Sequence, residues 1–338
     1  MATIVDVAKR AGVSIKTVSR VLNKASNVRD GTATRVREAI SALDYQPSSA
    51  ARELRSGRSR FIGMVFAEPS TGFEARLYQA ALRAVGDAGY FLAAGLIDEV
   101  NPDWRGQLRD FLDRSRTTTM VLTPPFCDSE DLLAELAERE VQTVLISPSV
   151  ETPNTYTVRM DDYLGAIEVT NHLISLGHVR LGHLTGPQDH VASSLRRRGF
   201  EAAIAASETT SLNPNWIKPG HFRFKDALSA AEAILSGPDR PTAIFAANDE
   251  SAAAVCFAAG RMGLSVPGDL SVAGFDDAPI ATTVWPPLTT IAQPFDAMAE
   301  AIVDLLSAPG DTQTARQGPL ILPHQLKERS STAPPSVK

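Results

Sequence analysis

Polar residues stand directly after several apolar runs of the sequence, at points where predicted strands end. Asn248 follows Ile-Phe-Ala-Ala and Asp276 follows Val-Ala-Gly-Phe, while Arg196 lies near the start of a predicted helix. Asp and Asn side chains can bind pairs of hydroxyls, and an arginine can bind two acceptors at once. An aromatic ring such as that of Phe295 can cover the apolar face of a pyranose. These residue types predict binding of a small polyhydroxylated molecule.

Two further residues are weaker candidates for the same site: Phe73, after the first predicted strand, and Asp161, in a Met-Asp-Asp segment. Asn248 has a structural alternative, because Asn is a preferred N-cap and a helix is predicted to begin there. Arg197 and Arg198 are expected to be solvated or ion-paired on a helix surface. The candidate set is therefore Phe73, Asp161, Arg196, Asn248, Asp276 and Phe295.

A catalytic interpretation has less support. His183, His190, Ser193 and Asp189 could be taken as a nucleophilic arrangement, but the Gly and Pro residues around them are typical of a strand-to-helix connection. The sequence has no P-loop, no G-x-G-x-x-G after the first predicted strand and no Cys/His spacing for zinc. Its two cysteines lie far apart in apolar surroundings, which indicates core residues. We therefore expect no cofactor, no metal and no enzymatic activity.

The elements that must position these residues alternate along the chain from Phe61 onward. Short apolar runs predict buried strands, and the stretches between them have the length of crossover helices. A second series of the same kind starts at Val158. This predicts two doubly wound α/β lobes with parallel sheets and a ligand bound beyond the carboxyl ends of the strands. We expect residues 60–158 and 294–325 in the first lobe and residues 159–293 in the second.

Residues 3–23 have the pattern of two short helices joined by a tight turn. Thr3 can cap the first helix, Gly12 can end it, and Ser14 can cap the second. The outer face of the second helix is short-chained, polar and basic, and consists of Ile15, Lys16, Thr17, Ser19, Arg20 and Asn23. Such a face suits a major groove, where basic side chains meet guanine acceptors or phosphates. An ordinary amphipathic helix pair is the alternative. With a third helix, the sequence predicts a three-helix helix-turn-helix head over residues 1–46.

Charge is divided unevenly along the 338 residues. Residues 1–58 carry a net charge of +6 and the rest of the chain −12. A basic head on an acidic body predicts a polyanionic partner for the head alone. Residues 47–59 are helix-capable but contain a single large apolar side chain, that of Leu54. They are therefore expected to form either a plain linker or a hinge helix that folds only on a surface such as a minor groove.

The two ends of the chain carry further expectations. The N-terminus has no apolar signal-type segment, and no stretch is long enough to cross a bilayer, which predicts a cytoplasmic protein without membrane contact. The polar, Pro-rich tail over residues 331–338 is expected to be disordered.

The sequence resembles the LacI/GalR family of bacterial repressors. The resemblance rests on the run Val-Ala-Lys-Arg-Ala-Gly-Val-Ser-Ile-Lys-Thr-Val-Ser-Arg-Val-Leu-Asn at 7–23, on Tyr-Gln-Pro at 45–47 and on Ala-Ala-Arg-Glu-Leu-Arg-Ser-Gly-Arg at 50–58. The first run is highly specific, and the similarity continues to about residue 325. The resemblance implies an operator-binding head, a hinge helix that orders on DNA and a core of periplasmic-binding-protein type. Ser48 departs from the family, which usually has Asn after the Pro.

The resemblance also implies roles for single residues. Those facing bases would be Ile15, Lys16 and Arg20. Those holding phosphates would be Thr3, Ser14, Thr17, Ser19, Asn23 and Asn27. Leu54 matches the family's minor-groove wedge, and Ala51 lies in the same hinge. Effector contacts would come from Arg196, Asn248, Asp276 and Phe295.

Together these observations predict a homodimeric repressor of carbohydrate-utilisation genes that binds pseudo-palindromic double-stranded operator DNA and a small, sugar-like effector. Two alternatives stay open. One is a regulator that responds to a purine or nucleoside corepressor, which calls for aromatic rings stacked on a planar base. The other is a cytoplasmic sugar-binding protein without a DNA role, against which the basic head counts.

Overall fold

The computed structural model describes residues 2–22, 28–45, 60–66, 72–98, 101–150, 152, 155–188, 190–307 and 318–336. The chain divides into two compact units, residues 1–59 and residues 60–338. The predicted hinge over 47–59, with Ala51 and Leu54, lies outside the described residues. So do the predicted phosphate contacts Asn23 and Asn27.

The first unit contains three helices: α1 (Ile4–Ala11), α2 (Ile15–Leu22) and α3 (Asp30–Ala42). Thr3 caps α1 in a reciprocal capping box with Asp6. Gly12 ends α1 with φ at 64°, which glycine adopts without strain. The Thr17 N–H donates to Ser14 Oγ at 3.2 Å where α2 begins. The predicted helix-turn-helix is confirmed, together with the two predicted caps.

The head has a small hydrophobic core of its own. Its buried members are Val7, Ala8, Ala11, Val18, Val21, Ala33, Val36, Ala39 and Tyr45. Because these residues come from all three helices, burial of their side chains holds α1, α2 and α3 together. The opposite face of α2 is left available to solvent.

The second unit is built from strands and helices in alternation. In chain order the strands are β1 (Phe61–Phe66), β2 (Phe91–Leu96), β3 (Thr119–Leu122), β4 (Gln142–Ile146), β5 (Tyr156–Met160), β6 (Leu181–Thr185), β7 (Ile217–Pro219), β8 (Ala243–Ala246), β9 (Ser271–Asp276), β10 (Thr289–Ala292), β11 (Leu320–Leu322) and β12 (Gln325–Lys327). The helices are α4 (Phe73–Asp87), α5 (Trp104–Ser115), α6 (Glu130–Glu138), α7 (Asp162–Ser175), α8 (Val191–Ala205), α9 (Phe224–Leu235), α10 (Asp249–Arg261), α11 (Ile280–Thr283) and α12 (Phe295–Ser307).

The strands form two six-stranded sheets, one for each lobe. The first has the order β11-β5-β4-β3-β1-β2, and the second β12-β10-β9-β8-β6-β7. All pairs are parallel except β10 with β12, so the second sheet carries one antiparallel edge strand that the sequence did not predict. β5 continues to Met160 in the first sheet, two residues past the predicted lobe boundary. The α/β architecture of two lobes is confirmed.

The C-terminal segment is ordered, and the expectation of a disordered tail is wrong for the described residues 331–336. Ser331 is completely buried, and its hydroxyl accepts from the Thr289 N–H at 2.8 Å and donates to the Val272 carbonyl. Arg329, just before it, donates to the Asp277 carboxylate and to the Leu288 carbonyl. A polar sequence is ordered here because its hydrogen bonds are made by strand ends of the second lobe.

Two sequence-based expectations concern residues away from the cleft. Cys127 and Cys256 are both buried, as predicted. Among the helices of the described residues, none has the length and apolar character required to cross a membrane.

Candidate functional site

A cavity of about 180 Å³ lies between the two lobes, at the carboxyl ends of their strands. The first lobe contributes Gly72, Phe73, Glu74, Pro124 and Ser147 to its wall, and the second contributes Asp162, His190, Ala192, Arg196, Phe222, Asn248, Glu250, Asp276 and Gln293. Since each of these residues lies near the point where a strand ends, the parallel topology brings side chains distant in sequence to one site. The wall combines aromatic rings with carboxylates and amides, which suits a small polar ligand.

Arg196, in the second turn of α8, holds the polar side of the cavity together. Its side chain is only 5% exposed. Nε donates to Asp162 Oδ1 at 2.8 Å, Nη2 lies 3.4 Å from Asp276 Oδ1, and Nη1 donates to the Ala247 carbonyl at 2.6 Å. Its guanidinium carbon is also 3.8 Å from the ring centre of Phe275. Arg196 therefore fixes the positions of two carboxylates that border the ligand space.

Asp276 ends β9 with a strained backbone. Its φ is 107° and that of Asp277 is 54°, both in the region that non-glycine residues rarely adopt. The Gln293 amide donates to Asp276 Oδ1 at 2.7 Å. Burial raises the pKa of Asp276 to about 6, against the opposing effect of Arg196. The carboxylate is thus held at the cavity wall and titrates close to neutral pH.

Asn248 is the N-cap of a helix, which is the structural alternative that the sequence left open. Its Oδ1 accepts from the Ser251 N–H at 2.9 Å and caps α10, while Nδ2 donates to the Phe222 carbonyl at 3.1 Å. It also lines the cavity. The next residue, Asp249, is buried and accepts from Thr290 Oγ1 at 2.6 Å and from the Ala278 N–H at 2.7 Å. Asp249 therefore joins α10 to neighbouring strand ends.

The other three candidates differ in position. Phe73 lines the cavity. Phe295 is buried behind it, with the two ring centres 5.4 Å apart, so it supports Phe73 and is not itself part of the wall. Asp161 caps α7 by accepting from the Leu164 N–H at 2.9 Å and borders a second, adjoining cavity. Effector contact by all six candidates remains a prediction.

Several wall residues are absent from the candidate set, and three of them, Asp162, Glu74 and Phe222, matter for the chemistry of the cavity. Asp162 directly follows Asp161, but the start of α7 turns Asp162, and not Asp161, toward Arg196. Glu74 follows Phe73, and burial raises its pKa to about 7 although the Thr123 hydroxyl opposes the shift. Phe222 lies in a loop with φ at 58° after β7. Only the acidic doublet at 161–162 gave a signal in the sequence.

Of the two histidines in the catalytic alternative, His190 lines the cavity and His183 lies away from it in the core. His183 is completely buried, with its ring stacked between Phe200 and Phe245 at centre distances of 4.9 and 4.8 Å. Its Nδ1 is hydrogen-bonded to the Phe245 carbonyl at 2.8 Å, and burial lowers its pKa to about 4. Asp189 lies outside the described residues. His183 is therefore a core side chain.

The head presents a second candidate site, the outer face of α2. Ile15 is 46% exposed, Lys16 and Arg20 are exposed, and Thr17 and Ser19 are half-buried at the edges of the face. The hydroxyls of Thr3 and Ser14 are used at the helix starts, where Thr3 donates to Asp6 Oδ2 at 2.7 Å and Ser14 pairs with the Thr17 hydroxyl at 2.9 Å. An exposed isoleucine beside two cations fits a surface that contacts both bases and phosphates.

Comparison with known proteins agrees with this geometry. Residues 3–48 match the family model described as bacterial regulatory proteins, lacI family, and residues 170–332 match a periplasmic binding protein-like domain. The HTH-type transcriptional repressor PurR of Aliivibrio salmonicida is 34% identical over 90% of this chain and 91% of its own length. The ribose operon repressor of Escherichia coli is 32% identical over 98% of this chain and all of its own.

Solved structures are similar over nearly the whole chain. A lac repressor dimer bound to operator and the anti-inducer ONPF has a TM-score of 0.78 at 28% identity and covers 98% of this chain and 99% of its own. A complex of the transcriptional regulator CelR with cellobiose has a TM-score of 0.70 at 27% identity, covering 98% and 100%.

Proposed function

This chain belongs to the LacI family of bacterial regulatory proteins, and on that premise we propose that it is a transcriptional repressor whose affinity for operator DNA is set by a small effector bound between its two lobes. The observation that carries the proposal is the exposed face of α2, with Ile15, Lys16 and Arg20, on a head that has its own core. One head makes few contacts, so a homodimer on a pseudo-palindromic site supplies the selectivity that a promoter requires. The cytoplasm is the compartment in which such a regulator acts, and binding alone, without catalysis, suffices for this activity.

The head residues divide by chemistry into two groups. Lys16 and Arg20 are proposed to read bases, Ile15 to contact a thymine methyl, and Thr17 and Ser19, with the hydroxyl side chains near the helix starts, to hold phosphates. Phosphate contacts release counterions, so the logarithm of affinity should fall linearly with the logarithm of salt concentration.

The DNA proposal is tested by selecting a site from random duplexes and measuring binding by gel shift at several salt concentrations. Lys16→Ala and Arg20→Ala should each cost about 1–3 kcal/mol of operator binding. Arg37→Ala, a change of an exposed arginine on α3, serves as the matched control and should alter affinity much less. Absence of any salt-sensitive, sequence-selective complex would leave the competing function, sugar binding without a DNA role.

For the effector, we propose a sugar-like molecule. The carboxylates of Asp162 and Asp276 and the amides of Asn248 and Gln293 provide paired acceptors and donors, and Phe73 provides an apolar face. A molecule held by both lobes stabilises the closed arrangement relative to the open one, and this differential affinity is what would change operator binding. Thermal-shift screening of monosaccharides and disaccharides, followed by gel shift with each ligand found, tests this step.

A purine-type effector is the second candidate, and Phe222 is the observation in its favour. Phe222 gives the cavity an aromatic ring from the second lobe in addition to Phe73 from the first, so both lobes offer a ring for stacking. Guanine and hypoxanthine belong in the same screen. Stabilisation by a purine base but by no sugar would replace the carbohydrate proposal and leave the repressor proposal intact.

A further inference from the structure

A second cavity, of about 280 Å³, adjoins the one described above and differs from it in charge. The two cavities share Ser147, Asp162 and Ala192 in their walls. Beyond that junction the second cavity is lined by Arg159, Asp161, Tyr163 and Arg198, among others. The two spaces therefore border each other along these three residues.

The two arginines of the second cavity are not used in the ion pairs of this region. Within the described residues, these ion pairs join Arg196 to Asp162 and Asp276, and Arg197 to Glu201. Arg159 is half-buried on β5, and the Arg198 guanidinium carbon lies 5.8 Å from the ring centre of Tyr163 at the exposed rim. The sequence predicted that Arg198 is solvated or ion-paired, and it did not predict that Arg198 lies beside a cavity.

The carboxylates nearby are already bound. Asp162 forms its ion pair with Arg196 at 2.8 Å, and Asp161 accepts from the Leu164 N–H at 2.9 Å as the cap of α7. Arg159 and Arg198 thus face one carboxylate, that of Asp161, which forms no ion pair among the described residues. In the first cavity the balance is reversed, because Glu74, Asp162, Glu250 and Asp276 surround a single arginine.

We propose that the second cavity binds an oxyanion, and that the effector is a hydroxylated ring carrying a phosphate or carboxylate group. The inference rests on the proposed function, since it concerns the ligand of the same cleft. The ring lies in the first cavity, where carboxylates and amides bind hydroxyls, and the anionic group lies beside Arg159 and Arg198. A guanidinium presents two parallel N–H donors that match two oxygens of either group. In the first cavity the same group would lie among carboxyl groups, where Arg196 already binds Asp162 and Asp276.

The test compares each neutral sugar with its anionic counterparts on the full-length protein by calorimetric titration. The probes are ribose with ribose 5-phosphate, glucose with glucose 6-phosphate and with gluconate, and inorganic phosphate alone. The proteins are wild type, the double variant Arg159→Gln/Arg198→Gln, and Arg197→Gln. Arg197 is the matched control because it lies on the same helix, is exposed and does not line either cavity.

For at least one pair, the anionic member should bind wild type at least tenfold more tightly than the neutral one, and that ratio should fall to about one in the double variant. Arg197→Gln should keep the wild-type ratio. A phosphate ester preferred over the sugar acid identifies a phosphate as the group, and the reverse preference identifies a carboxylate. A wild-type ratio near one for every pair, or a ratio that survives in the double variant, overturns the inference. If neutral sugars then bind and change operator affinity, the proposed function stands. If the wild-type protein binds no operator at all, the proposed function is refuted.

Discussion

Replacing Arg196 by alanine separates effector binding from DNA binding and has a stability cost that follows from the structure. The substitution removes the cation from Asp162 and Asp276, whose side chains are each 6% exposed, and the donor from the Ala247 carbonyl. Breaking a buried ion pair by removing one partner costs about 3–5 kcal/mol, because the remaining charge stays buried. We expect Arg196→Ala to lower the free energy of unfolding of the two-lobed unit by about that amount.

The same reasoning predicts how this cost depends on pH. Burial raises the pKa of Asp276 in the folded state, and the substitution removes Arg196, which opposes that shift, so Asp276 takes up a proton on folding. The destabilisation from its buried charge is present at pH 8 and is relieved as pH falls through the raised pKa. The difference between Arg196→Ala and wild type in urea denaturation should therefore be smaller at pH 5 than at pH 8. Adding Asp162→Asn to the variant should restore part of the loss at pH 8, since it removes one orphaned charge.

The control is Arg197→Ala, on the next position of the same helix. Its exposed ion pair with Glu201 is an (i, i+4) contact worth about 0.3–0.5 kcal/mol. Gel shift should show operator binding by Arg196→Ala close to that of wild type, because the head has a separate core, but no response to the effector. Equal stability of Arg196→Ala and Arg197→Ala, a deficit that grows at low pH, or an unchanged effector titration would refute the account of the cleft.

Three further predictions concern single groups. Glu74→Gln should reduce the fall in melting temperature between pH 5 and 7. Folding raises the pKa of the Glu74 carboxyl to about 7, so this group favours the folded state at low pH and loses that contribution as pH rises. Scanning calorimetry on the variant and the wild type checks this. Arg329→Gln should lower the free energy of unfolding by about 2 kcal/mol, since it removes charge-assisted hydrogen bonds to Asp277 and Leu288; an unfolding midpoint equal to wild type would contradict it. Truncation after residue 327 should destabilise the second lobe further, because it also removes the buried Ser331; hydrogen exchange in β9 and β10 reports the loss.

Local pattern was enough to predict the elements that depend on neighbours in sequence. The caps of Thr3 and Ser14, the turn at Gly12 and the alternation of strands and helices from Phe61 follow from side-chain type and spacing within one or two turns. Short-range hydrogen bonds and burial on one face control such features, and both are visible in the sequence.

The order of the C-terminal segment and the contacts in the cleft could not be predicted from local sequence, because they join residues that are distant in the chain. Residues 331–336 have a composition typical of disorder, yet Ser331 and Thr332 form hydrogen bonds with Val272, Thr289 and His172. The composition of a segment indicates how much apolar surface it can bury by itself. It does not predict the hydrogen bonds that the segment forms with residues distant in the chain. For the same reason β12, which pairs antiparallel with β10, was not predicted.

The sequence by itself determined the kind of protein: a basic helix-turn-helix followed by two α/β lobes, with polar side chains placed after the strands. It did so because helix caps, periodicity and charge are local properties. The tertiary structure alone decided which of two adjacent aspartates, 161 or 162, binds Arg196, that Phe295 lies behind Phe73, and that Phe222 faces the ligand space. These outcomes depend on how each helix is rotated about its axis and on the conformation of each loop. Both are determined by packing against residues more than thirty positions away in the sequence.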